Sequence, residues 1–222
     1  MCRMFALGLV ATLSATPLAA QEAAEVCRAM SEVAVGDWVE YETRGATGPG
    51  AMAMGPTRIT QAVVDTEQVD GERHFWFENK MVTPMGDVIV QMLVPGWPFN
   101  TGQVQRMVMQ MGDQPAMAVS AQVMDMMRSQ MPENPSIDAA HGCGKGEVVG
   151  WESISVPAGT YRALHIRPRL PDRAQVTSEI WVSPDVPFGI VKVTMGGADG
   201  GEIVLVGHGT DATSSIGERQ RQ

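Results

Sequence analysis

Downstream of residue 20 the 222-residue sequence has no apolar run approaching the roughly 20 residues that a membrane-spanning helix needs, so no integral span is expected in the body of the chain. Basic side chains are scarce: 16 Lys and Arg stand against 25 Asp and Glu, a formal charge of −9. Nucleic acid and anionic membrane surfaces both reward clustered Lys and Arg, so this balance argues against either as a partner. The sequence holds no GxSxG elbow, HExxH, P-loop or GxGxxG opening a helix after a strand. The four histidines, His74, His141, His165 and His208, are scattered, and none has a carboxylate or second histidine at ligand spacing within one element. Surface or satisfied-core roles are therefore expected for them. The acids are dispersed, mostly on turns where Asp is favoured for geometry alone. No catalytic residue and no cofactor is nominated, and a non-enzymatic protein is expected.

Cysteine is also sparse, at three residues, and no CxxC spacing supports a redox or zinc site. The N-terminus reads Arg3, then an apolar run from Met4 to Leu13, then small residues ending Leu18-Ala19-Ala20. This is the n-, h- and c-region order of a secretory signal, with cleavage expected after Ala20. Cys27 is not a lipidation site, because Ala24-Glu25-Val26 lacks the small apolar residues such processing requires. Export removes Cys2 and leaves Cys27 and Cys143 in a compartment where disulfides persist, so the two are predicted to pair. That bond would close a loop of over a hundred residues, worth about 4 kcal/mol in the chain-entropy model. His141-Gly142-Cys143 could otherwise hold a metal, but a disulfide consumes the sulfur. The domain reading is a signal peptide over 1–20, one β-rich domain over 21–213 and a flexible tail over 214–222.

Along the chain, residues 22–33 place Val26, Met30 and Val33 at helical spacing. Period-two alternation begins at Trp38, with Trp38, Glu40 and Glu42 on one face and Val39, Tyr41 and Thr43 on the other. Residues 44–56 are rich in Gly and Pro and read as a loop. Runs at 57–66 and 73–82 flank Asp70-Gly71, a strong hairpin signal. Further strands are predicted at 87–94, 103–111, 147–156, 161–167, 175–182, 189–195 and 202–207, with Asp199-Gly200 as the last hairpin turn. Val119, Val123, Met127 and Met131 repeat every four residues, which predicts a helix over 116–131, ended by Pro132. The expected fold is mainly β: a curved antiparallel sheet or unclosed β-barrel of about nine strands, with one or two capping helices.

What is abundant is methionine. Of 17 in the sequence, eleven fall between Met81 and Met131. Met107, Met109 and Met111 share one face of a strand; Met124, Met127 and Met131 share one side of the predicted helix. Core packing accounts for such a pattern, and two functional readings stand beside it. Flexible thioethers re-pack around ligands of varied shape, so a methionine-lined sheet under a methionine-faced helix makes an adaptable apolar cavity. Thioethers also select Cu(I), and Met107, Met109 and Met111 are the alternative copper ligands.

The hairpin SVPAGTYRALHIR (155–167), the segment EIWVSPDVPFGIVK (179–192) and the closing EIVLVGHGTDATSSI (202–216), all in the last third of this chain, resemble the C-terminal half of the LolA/LolB-like periplasmic lipoprotein carriers. There a tryptophan-bearing strand, a turn with Asp and Pro, and another strand form part of an unclosed barrel. The resemblance implies a half-barrel whose concave apolar face, with Trp181 among its side chains, accepts a lipid or lipoprotein acyl chain without chemistry. It implies a periplasmic location. Methionine content and the expected disulfide depart from that pattern, which leaves open a copper-binding protein or a structural envelope protein with no small ligand.

Overall fold

The computed structural model describes residues 18–45, 57–83, 86–99, 101–130, 146–167, 178–196 and 200–216. Helix α1 (Leu18–Ala29) precedes strands β1 (Trp38–Gly45), β2 (Thr57–Val69), β3 (Glu72–Thr83), β4 (Gly86–Val94), β5 (Arg106–Met111) and β6 (Met117–Ala118). After helix α2 (Ala121–Gln130) come β7 (Glu147–Val156), β8 (Gly159–Arg167), β9 (Ser178–Val182), β10 (Ile190–Met195) and β11 (Gly201–Gly209). All eleven strands form one antiparallel sheet in the order β6-β5-β4-β3-β2-β1-β11-β10-β9-β8-β7. The chain starts in the middle, meanders outward to β6, crosses by way of α2 to the opposite edge and meanders back until β11 pairs with β1. Every pairing but β1–β11 joins strands adjacent in sequence, so local turn chemistry specifies most of the sheet. The edge strands β6 and β7 are not paired with each other, so the sheet is an unclosed barrel.

Bulges bend the sheet at Glu40/Tyr41, Val63/Asp65, Val148/Gly150 and Ile190/Lys192. Its inner face packs on α1 through Ala23 and Val26 and on Met30 just past the helix, and edge strand β7 meets both α1 and β11. Phe77, Trp97, Phe99 and Phe188 form the aromatic centre of that core, with ring centroids 5.2–6.0 Å apart. Such pairs add about 0.5–1.5 kcal/mol each beyond their buried area. Tyr41 lies in the same core, its phenol pushed above the ordinary tyrosine range by burial and donating to the Ile190 carbonyl at 3.1 Å.

A smaller outer cluster holds Ala62, Val64, Trp76, Ile89, Leu93, Val108 and Ile216. Gln91 Nε2 donates to Glu78 Oε2 and Ser214 Oγ, both at 2.7 Å, and the Ser215 amide donates to Glu78 at 3.0 Å. Of the segment expected as a flexible tail over 214–222, residues 214–216 are described, and they pack here through Ile216.

Most predicted elements fall where period and turn signals placed them. The Asp70-Gly71 hairpin turn has φ of 52° and 85°, the left-handed pair that a type I′ turn needs. Several boundaries moved, and the first helix, expected over 22–33, runs from Leu18 to Ala29. The helix predicted from 116 starts at Ala121, because Met117 and Ala118 pair with Met109 and Val108, and Ser120 caps the helix through the Val123 amide. Strand β5 starts at Arg106 rather than 103, after a single 3-10 turn over Thr101–Gln103. The signal segment through residue 17, the loop segment 46–56, His141, Cys143 and Asp199 lie outside the described residues. Cys27, on α1, is disulfide-bonded; its predicted partner Cys143 lies outside the described residues.

Candidate functional site

Three rows of side chains cross the inner face of the first half-sheet, defined by strand register. The deepest runs Val63, Phe77, Met92, Met107. The middle row runs Val39, Gln61, Asn79, Val90, Met109, Met117. The third runs Tyr41, Ile59, Met81, Val88, Met111. Exposure rises along the strands and toward the β6 edge: Met107 is 6% exposed, Met111 54% and Met117 61%. A methionine-lined surface thus leads from solvent into the core. No side chain in these three rows is charged.

The lining is soft by composition. Met92 opposes Met107, and Met109 opposes Met117, in adjacent strands whose facing Cα atoms lie about 4.5–5.5 Å apart. Unbranched thioethers at such positions change rotamer at little cost, so the wall can adopt more than one shape. Helix α2 adds half-buried Met124, packed against the inner core together with Val119.

Within this face lie two amides that period-two reading treats only as strand residues. Gln61 and Asn79 are register partners, and their side-chain oxygens Oε1 and Oδ1 are buried without a hydrogen-bond partner. Gln61 is 1% exposed. Trp97 Nε1 is likewise buried and unpartnered, and its ring stacks on Phe77, two residues from Asn79 on the same face of β3. A polar residue inside an alternating strand is the only sequence signal for these groups. Which face it takes and what it opposes depend on register.

The sequence-nominated residues divide into two places. Met107, Met109 and Met111 line one face of β5, and Met124 packs over the same core. The side chain of Met127 and the whole of Met131 lie outside the described residues. Trp181 belongs to the same main core cluster but stands on β9, with six strands between it and β5 in the sheet order. Its indole donates to Glu152 Oε2 at 3.1 Å and stacks on His165 at 4.4 Å between centroids, with Lys192 over its ring. His165 Nδ1 meets Glu152 Oε1 at 2.8 Å; its buried Nε2 has no hydrogen-bond partner and lies 3.7 Å from Glu179. The Trp181 hydrogen bond, followed by that from His165, holds the Glu152 carboxyl below the usual range. Lys192 does the same for Glu202. This is a cross-strand network of the second half-sheet, whose one orphaned ring nitrogen is sealed from solvent.

Among the described residues no group of three or more His, Cys, Asp or Glu is placed to hold a metal ion. No described helix is long and apolar enough to cross a membrane.

No family model matches the sequence, and no curated protein matches it. Solved structures align with it at low scores. A candidate lipoprotein of Parabacteroides distasonis aligns over 81% of this chain and 98% of its own at 14% identity and a TM-score of 0.39. The MucA/MucB complex of Pseudomonas aeruginosa aligns over 89% of this chain and 58% of that one, at 12% identity and 0.38. A LolA superfamily protein of Nitrosomonas europaea aligns over 82% and 73%, at 13% and 0.25. At these scores the functional reading rests on the geometry of the inner face.

Proposed function

We propose that this protein is an exported, periplasmic, non-enzymatic carrier that binds an apolar ligand, such as a lipid or acyl chain, against the methionine-lined inner face of its unclosed barrel. The observation that carries the reading is the uncharged surface running from exposed Met117 and Met111 to buried Met107. An apolar chain laid along it is removed from water at about 25 cal/mol per Å² of buried area. The signal-like N-terminus supports export: cleavage after Ala20 leaves most of α1 to pack on the inner face.

The test is binding of the uncharged fluorophore N-phenyl-1-naphthylamine to delipidated protein, together with native mass spectrometry of protein purified from its own envelope fraction. Saturable fluorescence enhancement, and a bound mass lost on organic extraction, are expected. A protein that neither binds the fluorophore nor carries extractable mass refutes the carrier. The same spectrum tests the Cys27–Cys143 bond, since the polypeptide should be about two mass units lighter than its reduced form.

A copper reading is favoured by one observation: the opposed pairs Met92/Met107 and Met109/Met117. Along β5 alone, Met107, Met109 and Met111 are spaced by about 6.8 Å for every two residues, which spreads their sulfurs along the strand. Cross-strand pairs converge better, so a Cu(I) site would use them. Cu(I) retained under reducing conditions and lost in a Met92, Met107, Met109 triple substitution supports it; equal retention by the variant removes it.

A further inference from the structure

Resting on the carrier reading, we infer that the ligand's head group is neutral and both donates and accepts hydrogen bonds, as a hydroxyl or carboxamide does, and that Gln61, Asn79 and Trp97 are the groups that select it. The first support is what the inner face leaves unmet. Gln61 Oε1 and Asn79 Oδ1 are buried acceptors without donors, side by side in register on β2 and β3. Trp97 Nε1 is a buried donor without an acceptor, stacked on Phe77 in the adjoining row at 5.5 Å. Native proteins satisfy nearly all such groups, and those left over call for an explanation. Two acceptors and one donor around Phe77 are complementary to a group that offers both.

The second support is charge. The three rows contain no ionised side chain, so a carboxylate, phosphate or ammonium head drawn among them would be buried without a counter-charge. An anion would also enter a chain of formal charge −9. The methionine rows continue outward from Asn79 through Val90 to Met109 and Met117, a path for the apolar tail toward solvent. A neutral amphiphile, with its head at the amides and its tail along the methionines, satisfies both parts of the face. A pure hydrocarbon would leave the three polar groups orphaned.

The experiment is displacement of N-phenyl-1-naphthylamine from the delipidated protein by C12 compounds held below their micellar concentrations: monolauroylglycerol, dodecanoate at pH 8 and dodecyltrimethylammonium. Monolauroylglycerol should displace the probe at a concentration at least about tenfold lower than either ion, the factor that 1.4 kcal/mol of hydrogen bonding represents. In the Gln61→Leu/Asn79→Leu double variant this preference should fall to less than about threefold while the melting temperature rises, because the substitutions remove buried acceptors that have no partner. Equal displacement by all three compounds, or better displacement by an ion, overturns the head-group inference and leaves the carrier intact. Unchanged preference in the double variant overturns the role of the two amides. Absence of any probe binding, with no extractable bound mass, refutes the carrier itself. Should the double variant fail to fold, the wild-type series still decides the head-group class.

Discussion

Gly189 sits where α1 meets the sheet, and replacing it with alanine probes how the helix is held over the inner face. Its φ is +76°, a region in which a side chain costs about 1–2 kcal/mol. A Cβ built there would lie 2.0 Å from Met30 Cγ and 2.7 Å from its sulfur. Met30 is buried at 3% and part of the main core, so displacing it overpacks that core, at about 1–3 kcal/mol. Gly189→Ala should therefore destabilise the protein by about 2–5 kcal/mol. For a domain of this size each kcal/mol lowers the melting temperature by about 2–4 °C, so a fall of roughly 10 °C is the central expectation. Met30→Ala alone should cost about 2–5 kcal/mol through the cavity it leaves. Combined, the two should cost about 1–3 kcal/mol less than their sum, because truncating Met30 removes the clash while leaving the strain at φ. Chemical denaturation of the four proteins of this cycle measures the coupling. Strict additivity would refute the contact between the β9–β10 turn and α1.

Three further predictions bear on the site and its surroundings. Met111→Ser, at an exposed position, should change stability by less than about 0.5 kcal/mol while weakening N-phenyl-1-naphthylamine binding, whereas Met107→Ala should cost about 2–5 kcal/mol; a Met111 variant that binds the probe as well as wild type would place the entrance elsewhere. Ile216→Ala should cost about 2–4 kcal/mol in denaturant melts, because Ile216 fills the outer cluster beside Trp76 and Leu93; a neutral result would mean that the tail is not seated there. Because Trp181 and His165 depress the folded-state pKa of Glu152, that carboxylate contributes stability above its unfolded pKa, and the contribution is lost as pH falls through the folded pKa. Glu152→Gln should thus be less stable than wild type at neutral pH, the gap narrowing below about pH 4; a gap independent of pH would contradict the assignment.

The local parts of this structure are legible in the residues. Trp38 to Thr43 alternates so that Val39 and Tyr41 must share a face, and both are buried. Asp70-Gly71 carries its hairpin in two residues because few dipeptides accept φ > 0 twice in succession. Alternation also puts Met107, Met109 and Met111 on one face of β5. Helix α2 shows where such reading stops. Its every-four-residue valines and methionines extend into Ala116–Ser120, and nothing local says that Met117 and Ala118 find a better partner in β5. Ile216 is similar: its tail has no period of its own, and only the outer cluster formed by β2 to β5 explains why it packs.

Trp181 and Gln61 divide the two kinds of knowledge most clearly. Sequence alone determined that the body is an acidic, mainly β chain built from hairpins, with methionines concentrated in one half, because side-chain alternation and turn chemistry act over a few residues. Tertiary structure decided that Trp181 stacks on His165 in the second half-sheet, and that Gln61 lies opposite Asn79 on the inner face. Both outcomes depend on register between strands and on the long-range pairing of β1 with β11. A slip of one residue in that register would turn the same amides to the other face, so their burial is a property of the assembled sheet.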